Sequence, residues 1–153
     1  MNANALAFLE CIAACEGVNT PVGYRALFGY HPIRNPNQLF DNGFRTHPNI
    51  RVPFRDTFST AAGRGQIIFP TFARLQRKLG TTDFAPATQD QMMLELVAER
   101  GAMGDVKNGA ITEALRKCSP EWASLPYATY DQPTRSLEWA LKAYLDAGGD
   151  LTS

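Results

Sequence analysis

Apolar residues recur at helical spacing near the start of the chain. Phe8, Ile12 and Cys15 lie on one face of a helix that this pattern predicts from Asn4 to Cys15. Gly17 follows, and glycine is suited to the left-handed conformation in which many helices end. We therefore expect the chain to open with a helix that buries one face.

The same spacing predicts two helices in the middle of the chain. The first covers residues 70–79, with Pro70 suited to its first turn and Gly80 to its end. The second begins at Thr88, where Thr-Gln-Asp-Gln resembles a capping box, and continues up to Gly101. The residues predicted to face inward on this helix are Met92, Met93, Leu96 and Val97.

The C-terminal third is also predicted to be helical. Apolar residues in register mark a helix at 111–118. Residues 119–122 have the composition of a short helix start, with Ser119 as N-cap and Pro120 at the first position. The last predicted helix runs over 134–147 and ends at Gly148. Its predicted apolar positions are Leu137, Leu141, Tyr144 and Leu145.

Residues 20–64 show no helical period and are interrupted by proline and glycine, which indicates short strands and long loops. Six arginines and two aspartates give them a net charge of +4. This charge is either a solvated surface or a face for an acidic substrate. The fold class is therefore α+β: one domain over residues 1–153, mostly helical, with a small β-rich lobe at about 18–60 after the first helix.

Composition places the chain among globular proteins, because 44% of its 153 residues are hydrophobic and 20% are charged. Fifteen basic and fifteen acidic residues exclude a strongly basic nucleic-acid binder. No apolar run approaches the ~20 residues that span a bilayer, and the N-terminus lacks the positive charge of a signal peptide. Three cysteines are too few for a disulfide framework. We expect a monomer from a reducing compartment, without stable membrane association.

Glu16 breaks a local rule. It continues the apolar stripe of the first helix, yet it lies in the last turn, at the negative end of the helix dipole. Burial and the dipole both disfavour the carboxylate, so both raise the pKa of Glu16. A carboxyl group that stays protonated near neutral pH is what a general acid requires. The alternative is an exposed glutamate at a frayed helix end.

Two segments carry chemistry that suits sugars. Residues 59–66 (Ser-Thr-Ala-Ala-Gly-Arg-Gly-Gln) offer hydroxyls, an amide and glycines that allow close backbone approach, although they also describe an ordinary glycine-rich turn. Residues 125–133 place Tyr127, Tyr130 and Gln132 in a loop between helices. Flat rings beside an amide suit a sugar, and tyrosines that merely anchor the loop are the alternative.

Other chemistries have less support. His31 and His47 with Cys15 form no local motif of a thiol–imidazole enzyme. Two isolated histidines do not supply the compact ligand spacing of a zinc site. Cys11 and Cys15 are more simply two small residues of a helix core. We predict neither a metal nor an organic cofactor.

Several motifs occur in an order that points to one family. They are Ala-Cys-Glu-Gly at 14–17, Gly23-Tyr24, Leu-Phe-Asp at 39–41, His47-Pro48, residues 59–66, Glu-Arg-Gly-Ala at 99–102, Arg-Lys-Cys-Ser at 116–119, Trp-Ala-Ser-Leu-Pro at 122–126, Tyr130 with Gln132, and Ala-Gly-Gly at 147–149. On these residues the chain resembles, over almost its whole length, the phage lambda endolysin family of peptidoglycan lytic transglycosylases. Spaced motifs in one order are far more specific than any single motif.

The resemblance implies a lysozyme-like fold with a cleft between a helical body and the β-rich lobe. It implies that Glu16 is the catalytic glutamate and that the partner is a peptidoglycan glycan strand. The residues implied to bind this substrate are Ser59, Thr60, Gln66, Tyr130, Gln132 and Tyr24. The chain departs from the family at Arg25, Cys15 and Gly65, where the family has an acid, a tryptophan and a tyrosine.

The implied reaction cleaves the bond from N-acetylmuramic acid to N-acetylglucosamine and leaves 1,6-anhydromuramic acid ends, using one carboxyl group. A hydrolase of the same fold would use water and a second carboxylate such as Asp41 or Asp56. A non-catalytic peptidoglycan-binding protein is a further alternative. The resemblance also implies residence in the host bacterial cytoplasm until a holin opens the way to the periplasm.

Overall fold

The structure, a computed structural model, describes residues 2–130 and 133–152. Its elements are α1 (Ala3–Cys15), a 3₁₀-helix (Gly23–Arg25), β1 (Val52–Phe54), β2 (Thr57–Ser59), α2 (Phe69–Leu79), α3 (Pro86–Glu99), α4 (Met103–Lys107), α5 (Ile111–Cys118) and α6 (Leu137–Asp146). Within these described ranges there are six α-helices and one two-stranded sheet, which confirms the predicted α+β class. No helix in them is long and apolar enough to cross a membrane.

The chain divides into two compact units. The first contains residues up to Glu16 together with those from Met93 onward, and therefore holds α1, the end of α3 and α4 to α6. The second is Gly17–Met92, which holds the sheet, α2 and the beginning of α3. The segment predicted as strands and loops therefore shares its unit with one and a half helices.

The first unit is built on α1, which packs against α6 and α4. Nine of the thirteen residues of α1 are buried, including Phe8 and Ile12 of the predicted stripe. The side chain of Asn2 caps the helix by accepting two backbone N–H groups of the first turn, at 2.8 and 3.3 Å. Gly17 has a φ of 77°. The predicted helix, with its glycine end, is confirmed to within one residue.

The last helix, α6, begins later than the sequence pattern predicts. Ser136 is its N-cap and accepts a backbone N–H of the first turn at 3.1 Å, so the helix starts at Leu137 and not at Thr134. Tyr144 is fully buried as predicted. Leu145 is 47% exposed, because the buried stripe of α6 passes through its neighbour Tyr144.

The predicted short helix at 119–122 is wrong. These residues form a turn that follows α5. The Ser119 hydroxyl donates to the Arg116 carbonyl at 2.9 Å, and the Glu121 N–H donates to the Cys118 carbonyl at 2.9 Å. Serine at this position therefore satisfies the end of one helix and does not begin another.

The start predicted for α3 is also wrong, because the helix begins at Pro86 and Thr88 lies in its first turn. The carboxylate of Asp83 accepts the Thr88 hydroxyl and, at 3.1 Å, the backbone N–H of Ala85. The five-residue helix α4 was not predicted, since it is too short to show a period. The four residues predicted to face inward on α3 are all buried: Met92, Met93, Leu96 and Val97.

The second unit has little regular structure before α2. Its sheet is a hairpin in which Val52 pairs with Ser59 and Phe54 with Thr57. Elsewhere in the unit, isolated bridges such as that between Leu27 and Ala62 join the loops. The prediction of short strands and long loops is confirmed.

A cluster of rings forms the core of the second unit. The rings of His47, Phe72 and Phe84 have centroids 5.1–5.3 Å apart. Nε2 of His47 donates to the Ile67 carbonyl at 2.7 Å, and burial lowers the pKa of His47. His47 is therefore a neutral core residue. Within the described ranges no three His, Cys, Asp or Glu side chains form a group that could hold a metal ion.

Replacing Gly149 by alanine should destabilise the first unit. A Cβ there would lie 2.2–2.6 Å from three carbons of the fully buried Tyr144 ring. Such overpacking costs about 1–3 kcal/mol. Gly104→Ala is the control, because Gly104 lies in α4 with nothing within 4 Å of the new Cβ, and helical alanine is favoured by ~0.5–1 kcal/mol. Urea unfolding that gives both variants the same stability would contradict this packing.

Candidate active site

Glu16 occupies the end of α1. It is the C-cap residue, with φ −76° and ψ −7°, and its backbone N–H donates to the Ile12 carbonyl at 2.9 Å. Gly17 then turns the chain away in the left-handed conformation. The helix end is therefore ordered, and the partly exposed Glu16 side chain leaves it directly after the buried Cys15.

Ser124 and Arg135 of the same unit surround the Glu16 carboxylate. The Ser124 hydroxyl donates to Oε1 of Glu16 at 2.8 Å. The backbone N–H of Arg135 donates to the Ser124 carbonyl at 2.8 Å, and its Nε donates to the Cys15 carbonyl at 3.4 Å. The Arg135 guanidinium also stacks 4.3 Å from the centre of the Trp139 ring. These contacts join both segments to the end of α1.

Two opposing influences set the pKa of Glu16. Burial is the larger and raises the pKa above its ordinary value of 4.5. The hydroxyl and backbone N–H of Ser124, and then the charge of Arg135, lower it in part. Glu16 therefore holds its proton to higher pH than an exposed glutamate does.

Sequence patterns alone do not reveal Ser124 or Arg135 as residues of this site. Ser124 lies 108 residues after Glu16, so no local period connects the two. Ser124 stands within one of the family motifs, but nothing in that motif shows which side chain its hydroxyl contacts.

The polar residues predicted in the 59–66 segment bond within the second unit. Ser59 Oγ accepts the backbone N–H two residues later at 3.2 Å, and Thr60 Oγ1 accepts the first backbone N–H of α2 at 2.9 Å. Gln66 has a φ of 46°, and its Nε2 donates to the Gly63 carbonyl at 2.9 Å and the Ala26 carbonyl at 3.3 Å. Since both hydroxyls are acceptors here, each keeps a proton to donate.

Tyr24 is joined to the 59–66 segment through Arg64. Its hydroxyl donates to both carboxylate oxygens of Asp90, at 2.9 and 3.1 Å. Nη1 of Arg64 donates to the same hydroxyl at 3.5 Å, and the guanidinium carbon lies 5.2 Å from the ring centre. Burial raises the pKa of Tyr24, and Arg64 and Asp90 act in opposite directions on it. The structure thus joins Tyr24 to the 59–66 segment through Arg64.

The other predicted site residues belong to the first unit. Tyr130 is 51% exposed, and its hydroxyl donates to the Pro120 carbonyl at 2.5 Å. Gln132 lies outside the described residues. The sequence departures at Cys15 and Gly65 are both buried positions.

The arginines of residues 20–64 differ in what they contact. Nε of Arg25 donates to a loop carbonyl at 2.9 Å, and Arg64 is buried in the network around Tyr24. Arg51 lies 4.6 Å from the centre of an exposed phenylalanine ring. The acids that a hydrolytic mechanism would use, Asp41 and Asp56, are both exposed. Only part of the positive charge is therefore available to an external partner.

Phage proteins resemble this chain over nearly its full length. The family model described as Endolysin matches residues 6–151. The endolysin of Escherichia phage P2 is 32% identical in an alignment 157 residues long, gaps included. The alignment covers 95% of this chain and 93% of that protein. The endolysin of Escherichia phage lambda is 33% identical over 150 residues, with coverage of 97% and 94%.

Solved structures agree with this result. Bacteriophage lambda lysozyme complexed with a chitohexasaccharide matches with a TM-score of 0.89 and 30% identity, over 99% of this chain and 98% of that one. Lysozyme from bacteriophage lambda gives 0.86 and 31%, with the same coverage. The fold is therefore lysozyme-like, and the molecule is a glycosidase that cleaves peptidoglycan. The chain belongs to the Endolysin family.

Glu16→Gln should be more stable than the wild type at neutral pH. Because the folded-state pKa of Glu16 is raised, the stability it contributes is complete below the ordinary value of 4.5 and is lost as pH rises through the folded-state pKa. Glutamine does not titrate, so the variant should gain on the wild type above about pH 5. Thermal midpoints across a pH series measure this difference. Midpoints that stay parallel from acid to neutral pH would contradict a raised pKa of Glu16.

Proposed function

We propose that this endolysin is a lytic transglycosylase in which Glu16 acts first as general acid and then as general base. It cleaves the β-1,4 bond between N-acetylmuramic acid and N-acetylglucosamine and leaves a 1,6-anhydro end. The observation that carries the proposal is the setting of Glu16. Its pKa is raised by burial, and the Ser124 hydroxyl donates to its carboxylate at 2.8 Å.

A hydrolytic glycosidase normally needs two carboxyl groups about 5–9.5 Å apart, the second serving as nucleophile or as base for water. A transglycosylase does not, because the C6 hydroxyl of the muramic acid itself is the nucleophile. Attack within one sugar also has an entropic advantage over attack by a separate water molecule. A single carboxyl group whose proton affinity is raised is sufficient for this chemistry.

The reaction has two proton transfers. Protonated Glu16 donates its proton to the glycosidic oxygen while the bond from that oxygen to C1 of the muramic acid breaks. The Glu16 carboxylate then accepts the proton of the C6 hydroxyl, whose oxygen forms the new bond to C1. Glu16 ends protonated and no water is consumed. Between the two transfers the Ser124 hydroxyl stabilises the carboxylate through its 2.8 Å hydrogen bond.

We infer that side-chain hydroxyls and an aromatic ring bind the glycan strand. Ser59 and Thr60 have hydroxyl protons to donate to sugar oxygens, and the exposed Tyr130 ring offers a flat apolar face. The lambda lysozyme that shares this fold was solved with a chitohexasaccharide. The proposed substrate-binding residues are Ser59, Thr60, Gln66, Tyr24, Tyr130 and Gln132.

We also propose that the protein accumulates in the host bacterial cytoplasm and reaches peptidoglycan after a holin opens the membrane. The support is the state of the cysteines. Cys11, Cys15 and Cys118 are all free and buried, as expected of a protein made where thiols stay reduced.

Glu16→Gln should abolish wall lysis without unfolding the protein. The amide keeps the shape of the side chain but can neither give nor take the proton, and loss of general acid–base catalysis costs about a hundredfold or more. Turbidity of a cell-wall suspension measures lysis. Glu10→Gln, at an exposed position of α1, is the matched control and should stay active. Lysis at the wild-type rate by folded Glu16→Gln would overturn the role of Glu16.

The same digests identify the reaction. Mass spectrometry of wild-type fragments should show ends lighter by one water than hydrolytic fragments. Reducing muramic acid ends would instead show a hydrolase of the same fold. Peptidoglycan that sediments with the protein yet yields no fragments would show a binding protein without activity.

Ser124→Ala should move the alkaline limb of the pH–rate profile to higher pH. The Ser124 hydroxyl favours the ionised form of Glu16, so its removal raises the pKa of Glu16 further and keeps the acid protonated longer. Ser124→Thr keeps the hydroxyl and should leave the limb in place. Lysis rates over a range of pH distinguish the two. The same limb in wild type and Ser124→Ala would show that this bond does not set the proton affinity.

A further inference from the structure

We propose that Gln89 is a positioning residue for sugar binding, whose buried side-chain amide fixes the 59–66 segment relative to Tyr24. The inference rests on the proposed glycan-binding role of those residues. Gln89 is 0% exposed and lies on α3, so it does not itself reach a sugar. It acts through the backbone that it holds.

The side chain of Gln89 bonds to three separate stretches of backbone. Its Nε2 donates to the carbonyls of Tyr24 and Phe84, both at 2.9 Å. Its Oε1 accepts the backbone N–H of Arg64 at 2.9 Å. Both donors and the acceptor of one amide are therefore used, on the 3₁₀-helix, on the 59–66 segment and on the residues just before α3. Leaving a polar group of a buried amide unpaired costs free energy, so the side chain and the three stretches of backbone fix one another.

The fit at Gly63 shows how close this contact is. Gly63 has a φ of 78°, and a Cβ built on it would lie 2.3 Å from Oε1 of Gln89. Glycine is required here both for the backbone conformation and for the approach of the amide. The absence of a side chain at Gly63 thus leaves the space that the Gln89 amide occupies.

The next residue of α3 holds the side chain of Tyr24. Asp90 accepts the Tyr24 hydroxyl with both carboxylate oxygens, and the same hydroxyl accepts from Arg64. Gln89 therefore fixes the backbones of Tyr24 and Arg64, while Asp90 fixes the phenol that lies between them. A loop held only by apolar packing can shift, whereas directional hydrogen bonds fix its position. Recognition of sugar hydroxyls requires binding groups in fixed positions.

The test is Gln89→Leu, which keeps a side chain of similar length and removes all three bonds. We expect the affinity for purified peptidoglycan sacculi to fall by about tenfold to a hundredfold. Sedimentation with sacculi in a Glu16→Gln background measures this without cleavage. In the active enzyme the apparent KM should rise by a similar factor, while kcat at saturating substrate changes much less.

Two further variants separate positioning from stability. Leu75→Ala opens a cavity in α2 of the same unit, where Leu75 is fully buried, without altering the contacts of Gln89. It should lower the thermal midpoint yet bind sacculi as tightly as the parent. Gly63→Ala displaces the Gln89 amide while leaving that residue in place, and should reproduce the binding defect even where Gln89→Leu fails to fold.

The outcomes are distinct. Sacculus binding at parental affinity by folded Gln89→Leu or Gly63→Ala would overturn the proposal, and so would an equal loss in Leu75→Ala. Failure of the Glu16→Gln parent itself to bind sacculi would overturn the glycan-binding role on which the proposal rests. Lysis by Glu16→Gln would overturn the catalytic role of Glu16 alone, because the binding assay needs no cleavage.

Discussion

A carboxyl group at the end of a buried helix cannot be satisfied by that helix. The last carbonyls of α1 carry the negative end of its dipole, so they repel the charged form of Glu16. A hydrogen-bond donor must come from elsewhere, and Ser124 supplies it from a segment far along the chain. Arg135, just before α6, joins both Ser124 and the end of α1, and α6 itself packs against α1.

This arrangement balances two effects on one proton. Burial alone would keep Glu16 protonated, and a set of donors alone would keep it ionised. Here burial prevails and Ser124 opposes it, so the pKa of Glu16 is raised less than burial alone would raise it. A group that must give a proton and then take one back needs this balance. This balance suits the acid–base role that we propose for Glu16.

Local sequence patterns predict the first helix and the unusual position of Glu16, but not the helix boundaries or the contacts between distant residues. The stripe of α1, the glycine after it and the conflict at Glu16 are visible in sixteen or so consecutive residues, and the structure has all three. The errors at Ser119 and Thr88 share one cause: a polar side chain can close a helix, join its first turn or begin it, and only its partner decides. Ser124, Arg135 and Gln89 could not be predicted because their contacts join distant parts of the chain. Many motifs in one order indicate the family, but they do not show which side chains contact one another.

The two units satisfy their backbone polar groups in different ways. In the first, buried helices satisfy their own backbone, and the Ser124 hydroxyl satisfies the carboxylate at the end of α1. The loops of the second have few ladders, so their backbone groups need side-chain partners. Buried side chains provide them: Gln89 bonds to three loop groups, and His47 bonds to the Ile67 carbonyl. Loops fixed in this way present hydroxyls in defined positions without a large sheet beneath them. A change in a buried amide of the second unit should therefore affect recognition, while a change at the end of α1 affects the chemistry.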